Sequence, residues 1–133
     1  MISPVLSPEV AAAVASHKAV VALESTIFSN LGLPSPANGE ALERCISAIR
    51  ACGAVPAITA VLDGVPRVGL AESEYERILG AARKVAERDL AVAIGERWSF
   101  GATTVSASLA LAAAAGIRVF ATGGRSEEHT SEL

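Results

Sequence analysis

The chain has 133 residues, 51% of them hydrophobic and 19% charged, with a formal net charge of −3. These values suit one core-forming domain, exclude a disordered chain, and provide no basic stripe for a nucleic-acid backbone. The apolar stretches are short against the roughly 20 residues of a membrane-spanning helix, and "MISPVLSPEV" lacks the basic start and apolar centre of a secretory leader, so a cytoplasmic protein is expected.

The segment "SPEVAAAVASHK" reads as a helix, with Ser7 suited to the N-cap and Pro8 to the first helical position. "AVVALES" then reads as a short strand buried on both faces, and it ends on Glu24. Gly32, Pro34 and Pro36 make "NLGLPSPAN" a loop. Asn38 can cap a helix over 39–51, where Leu42, Cys45, Ile46 and Ile49 form one apolar stripe and Gly53 is a natural terminator. Cys45 and Cys52 sit seven residues apart on that helix. That spacing is about 10 Å along the axis, too long for a disulfide, so free thiols are expected.

"AVPAITAVLDGVPRVGL" reads as two extended runs joined at Asp63-Gly64, a tight-turn signal. "AESEYERILGAAR" follows as an amphipathic helix with Tyr75, Ile78, Leu79 and Ala82 inward. Periodicity does not decide "KVAERDLAVAIGERWSFG"; a short strand at Lys84 followed by a helical turn fits it. "ATTVSASLALAAAAG" reads as a buried, Ala-rich helix ending at Gly116, and "IRVFATGG" as a final strand. Helices alternating with apolar strands predict a layered α/β/α fold with a mostly parallel sheet.

In open α/β sheets, ligands bind beyond the carboxyl ends of the strands. Glu24 stands at such an end, and partial desolvation there suits a general acid; the plainer reading is a Glu that turns outward or caps a helix. "GATTV" opens the Ala-rich helix, where free N–H groups and the hydroxyls of Thr103 and Thr104 suit a phosphate, or serve only as caps. Lys84 precedes a short apolar run and reads equally as a solvent-exposed lysine. The glycines of "ATGG" offer flexible backbone after a strand, for a ligand or simply for a turn. No Cys or His cluster has zinc spacing, and no Ser-His-Asp set is readable.

Four blocks, "VVALESTIFSNLGLPSPAN", "GAVPAITAVLDGVPRVGL", "RDL" and "GATTVSASLALAAAAGIRVFATGG", resemble in order and spacing the N-terminal part of the pseudouridine-5′-phosphate glycosidases. The resemblance implies reversible cleavage of the carbon–carbon glycosidic bond of pseudouridine 5′-phosphate to uracil and ribose 5-phosphate. The base leaves through a ring carbon, so that carbon must receive the proton, which an ordinary glycosidase carboxyl pair does not provide. The family is understood to open the ribose and hold it as a Schiff base on a lysine, an electron sink beside the breaking bond. Carried over residue by residue, Glu24 in "LEST" matches the proton donor. Lys84 matches a substrate-binding lysine, and Val105 in "GATTV" a position where backbone meets substrate. Manganese, a homotrimer and a cytoplasmic enzyme of pseudouridine catabolism are also implied.

The sequence departs from the family at 29–32, where "SNLG" replaces "SHG", so no histidine role is carried over there. The family's metal-binding aspartate and nucleophilic lysine follow "TGG", so no metal ligand is assigned in this chain and the chain alone is expected to show no turnover. Residues 125–133, "RSEEHTSEL", resemble translated sequencing-adapter read-through. They are read as a non-native tail, with 1–124 as the N-terminal part of a single domain, and His129 is given no role. The alternatives are a non-catalytic phosphosugar-binding α/β module and a different sugar-phosphate enzyme on the same fold.

Overall fold

In the computed structural model, which describes residues 2–122, the sheet is organised around one long strand. This strand, β3 (Val55–Leu62), is buried in all but its first residue, as its aliphatic run "VPAITAVL" requires. It is preceded by β1 (Val5–Leu6), α1 (Pro8–Ala15), β2 (Val20–Leu23), a 3₁₀ turn over Thr26–Phe28, and α2 (Ala37–Ala51). It is followed by β4 (Val65–Val68), a 3₁₀ turn at Glu72–Glu74 leading into α3 (Tyr75–Ile78), and β5 (Arg83–Val85). A third 3₁₀ turn, Glu87–Asp89, then leads to α4 (Leu90–Gly95), β6 (Phe100–Thr103), α5 (Val105–Ala114) and β7 (Val119–Ala121). The calls on Gly123, Gly124 and the 125–133 tail lie outside the described residues.

On one edge, β3 pairs antiparallel with β4 through a turn at Asp63 and Gly64, whose φ angles of 52° and 78° are the left-handed values such a hairpin needs. On the other edge, β3 carries two strands in succession. Its first half, Val55–Ile58, pairs parallel with β2, and β2 pairs parallel with β7. Its last residues, Val61 and Leu62, pair antiparallel with β6, and β6 pairs parallel with β5. The β2–β7 and β6–β5 pairs therefore run toward each other, and their four carboxyl ends meet beside Thr59. With β1 parallel to β4, the sheet is mostly parallel, and helices cover both faces. One core cluster joins α1, α4 and α5 through Val10, Leu90 and Leu111; the other joins α2, α3 and the first 3₁₀ turn through Leu42, Ile78 and Phe28.

Local signals hold where they were strong. Ser7 caps α1, its Oγ accepting from the Val10 N–H at 3.3 Å, and Pro8 opens the helix. The α2 stripe faces the core, with Leu42 buried and Cys45, Ile46 and Ile49 packed against the cluster. Cys45 is half-buried, Cys52 exposed, and both thiols are free.

Three expectations are corrected. Asn38 does not cap α2: the helix starts at Ala37, and the Asn38 amide is drawn inward to donate to the carbonyls of Phe28 (2.9 Å) and Leu79 (3.1 Å). The amphipathic helix after residue 71 is only a 3₁₀ turn and the one-turn α3, although Tyr75, Ile78, Leu79 and Ala82 do pack inward. The Ala-rich helix begins at Val105 rather than at residue 102, because Phe100–Thr103 form strand β6 and Thr104 stands at the N-cap. Gly101 permits this pairing: a Cβ there would fall 2.7 Å from Val85 Cγ2 and 3.2 Å from Val61 Cβ.

Arg67 of β4 grips Glu74 with both guanidinium nitrogens at 2.9 Å, with 19% and 26% of the two side chains exposed. These hydrogen bonds hold the Glu74 carboxyl below its ordinary range, against an opposing push from burial, with the Ala71 N–H adding to the depression. A carboxyl depressed in the folded state stabilises above its unfolded pKa of about 4.3 and loses that contribution as pH falls through the folded value. Thermal stability should therefore fall with acidification below about pH 4.3. Glu74→Gln should flatten that part of the profile; an unchanged profile would refute the assignment.

Candidate functional site

Four strands end on one line across the sheet. Ala121 of β7 pairs with Leu23 of β2, and Thr103 of β6 pairs with Val85 of β5. Thr59 of β3 joins the two halves, donating its hydroxyl to the Leu23 carbonyl at 2.9 Å and accepting on its own carbonyl from the Thr103 hydroxyl at 2.8 Å. Convergent carboxyl ends leave the following loops and helix N-termini at one place, where α/β sheets bind ligands.

Glu24 is the first residue beyond β2, and it is 5% exposed. The hydroxyl of Thr122, the residue after β7, donates to its Oε1. The carboxyl lines a cavity of about 300 Å³ whose other walls are largely apolar: Leu23, Ile27, Phe28, Cys45 and Ala121. One oriented carboxyl on an apolar wall can exchange a proton with a planar ring held against that wall. A larger cavity of about 570 Å³ lies at the opposite ends of β2 and β7, near His17, Lys18 and Arg118, away from the converging strand ends.

Val105 opens α5 one residue beyond β6, after Thr104, and is half-buried, so its backbone stands at the positive end of that helix. Lys84 lies on β5 opposite Ala102 and is exposed. Its neighbour Arg83 stacks on the Trp98 ring, 3.6 Å from the centroid. Neither Lys84 nor Val105 lines the Glu24 cavity. The three residues thus stand on three of the converging strands, and of the three Glu24 lines the apolar cavity.

The reading of Thr103 as a phosphate contact is corrected. Thr103 is 0% exposed and its hydroxyl is consumed inside the protein. It lies 3.0 Å from Ser25 Oγ and 2.8 Å from Thr59 Oγ1, and Thr59 Oγ1 is 2.7 Å from Ser108 Oγ. Thr104 is 6% exposed, with its hydroxyl 3.3 Å from Ser106 Oγ. Ser25, Thr59, Thr103 and Ser108 are all fully buried. An unpartnered hydroxyl there would cost roughly 1–3 kcal/mol; each instead meets another hydroxyl or a carbonyl.

Sequence reasoning missed this hydroxyl cluster and Thr122. The one available signal for Thr59 was a hydroxyl in an aliphatic strand; Thr122 lay within "ATGG", which was read for its glycines. The departure at 29–32 also has a structural role. Asn30 donates its N–H to the Gly80 carbonyl at 3.1 Å and accepts the Ala82 N–H on Oδ1 at 3.0 Å, tying this loop to the approach of β5.

The sequence profile of the family described as "Indigoidine synthase A like protein" matches residues 9–131. Proteins named pseudouridine-5′-phosphate glycosidase are similar to the chain. The one from Streptomyces griseus is 51% identical over 95% of this chain and 39% of its own length. The one from Arabidopsis thaliana is 48% identical over 90% of this chain and 36% of its own length. The chain thus spans about two-fifths of the length of these curated relatives. Among solved structures, the prealnumycin C-glycosynthase AlnA in complex with ribulose 5-phosphate superposes with a TM-score of 0.79 at 34% identity, covering 98% of this chain and 43% of that one. An indigoidine synthase A-like protein from Thermotoga maritima gives 0.78 at 31% identity, covering 92% and 40%.

Proposed function

The chain belongs to the indigoidine synthase A like protein family, and on that premise we propose that it is the N-terminal part of a pseudouridine-5′-phosphate glycosidase. The observation that carries this reading is Glu24: a carboxyl 5% exposed, oriented by Thr122 on the wall of an apolar cavity at converging strand ends. Relatives of that name at 48–51% identity support the substrate. The C-glycosynthase holding ribulose 5-phosphate supports a phosphosugar beside a carbon–carbon bond.

In this proposal uracil lies against the Ile27 and Phe28 wall, and Glu24 delivers a proton to the base carbon as the bond to the sugar breaks. The electron pair of that bond thereby becomes a C–H bond of uracil, and water completes the sugar product. Val105 presents the N-terminal backbone of α5 to the substrate, where the helix dipole favours an anionic group. Lys84 supplies a cationic contact to the phosphate or sugar. The nucleophilic lysine that forms the Schiff base is assigned outside the described residues. So are the ligands of manganese, which the family resemblance puts after "TGG"; among the described residues no group of three or more His, Cys, Asp or Glu side chains could hold a metal ion. A cytoplasmic homotrimer completes the reading, on the family resemblance alone. Among the described residues, no helix is long and apolar enough to cross a membrane.

The test has two parts. Sequencing the locus past Gly124 should reveal an open frame of the relatives' length, with residues 125–133 absent; a stop codon directly after Leu133 would refute the fragment reading. The full-length polypeptide should release uracil from pseudouridine 5′-phosphate. Saturable ribose 5-phosphate binding without uracil release would favour the phosphosugar-binding module instead.

A further inference from the structure

The buried hydroxyls at the strand junction hold the backbone on both sides of the site. Thr59 Oγ1 donates to the Leu23 carbonyl, which belongs to the peptide unit that carries the Glu24 N–H. That bond sets the plane from which the Glu24 side chain departs. Across the junction, the Thr103 N–H donates to Ser25 Oγ at 2.9 Å and the Ser25 N–H to Thr103 Oγ1 at 3.3 Å, a reciprocal pair between residues 78 apart. The Thr26 hydroxyl donates to the Thr103 carbonyl at 2.6 Å, and the Thr104 N–H donates to the Val85 carbonyl at 3.0 Å. The four hydroxyl hydrogens serve four of the five contacts: Ser108 donates to Thr59 Oγ1, Thr59 to the Leu23 carbonyl, Ser25 to Thr103 Oγ1, and Thr103 to the Thr59 carbonyl, so the Thr59 and Thr103 oxygens meet without a hydrogen of their own.

We propose that Thr59, acting through the Leu23 carbonyl and Thr103, is a positioning residue that holds Glu24 at a fixed place relative to the start of α5 and the end of β5. It rests on the glycosidase reading for its kinetic consequence but not for its structural one. β2 and β6 are not paired with each other; they meet end to end on β3. Each ladder sets one strand on β3, no ladder hydrogen bond runs between the two, and the hydroxyls supply the direct link across the junction. An enclosed network of satisfied hydrogen bonds suits this task because it has few alternative arrangements.

The experiment compares the full-length polypeptide with its Thr59→Val, Thr59→Ser, Ser25→Ala and Ser108→Ala variants. Thr59→Val keeps the side-chain shape but loses the hydroxyl. It should lower kcat roughly tenfold or more with KM little changed, as misplacement of a reacting group does. Ser25→Ala, the second variant should Thr59→Val fail to fold, should behave alike. Thr59→Ser keeps the hydroxyl and should stay within about threefold of the parent, as should Ser108→Ala, whose hydroxyl touches neither strand end. A folded Thr59→Val or Ser25→Ala enzyme with parental kcat would overturn the proposal, as would an equal loss in Ser108→Ala. Should the parent release no uracil, the glycosidase reading fails. The positioning role is then decided by amide exchange at Ser25 and Thr103. A rise of roughly tenfold in Thr59→Val but not in Thr59→Ser supports it, and unchanged exchange overturns it.

Discussion

Glu24→Gln in the full-length polypeptide is expected to reduce uracil release by about 10²- to 10⁴-fold, the range a positioned general acid contributes. The substitution keeps the side-chain shape, and the amide oxygen can still accept the Thr122 hydroxyl. Folding and substrate binding should therefore persist, and the loss should fall on kcat with KM within a few-fold. Gln cannot deliver a proton to carbon, so what is lost is the chemical step. Steady-state assay with pseudouridine 5′-phosphate, alongside a thermal unfolding trace, measures both. A folded Glu24→Gln enzyme with parental turnover would remove Glu24 from the donor role.

Gly69→Ala should give the second large effect, this time on stability. Gly69 follows β4 with φ at 92°, and its N–H donates to the Ile58 carbonyl at 2.8 Å. A Cβ would fall 2.5 Å from Ser7 Oγ and 2.5 Å from Val10 Cγ2. Ser7 caps α1, and Val10 is 1% exposed within the core, so neither can move aside cheaply. Left-handed backbone costs a non-glycine residue about 1–2 kcal/mol. Overpacking adds about 1–3 kcal/mol, and displacing the cap about 1 kcal/mol. A total of about 3–6 kcal/mol is a large share of the roughly 5–15 kcal/mol that holds a domain folded. Urea unfolding of the full-length polypeptide should show the midpoint falling at constant slope. A variant within about 0.5 kcal/mol of the parent, as for an ordinary surface change, would refute the steric account.

Much of the fold was legible because its signals are local. Ser7-Pro8 announced α1, the four-residue stripe announced the inward face of α2, and Asp63-Gly64 announced the β3–β4 hairpin. Strand β6 was not legible. Its four residues abut an Ala-rich run, Gly101 lowers their strand preference, and only pairing with β3 and β5 makes them extended. Asn38 looked like a cap because Asn favours caps, yet two distant carbonyls draw its amide inward. Thr103 looked available to a ligand because it precedes a helix, yet β6 turns its hydroxyl into the interior.

At the site the division is equally physical. The sequence by itself determined that Glu24 ends a buried strand, since four apolar residues run directly into a carboxylate. Chain order also implied that Val105 lies near a helix start. Only the tertiary structure decided what those residues face. Thr122 reaches Glu24 across 98 residues of sequence, and Ser25 reaches Thr103 across 78. No periodicity encodes such contacts: the first arises where the parallel strands β2 and β7 end side by side, the second where β2 and β6, running in opposite directions, end against the same residue of β3.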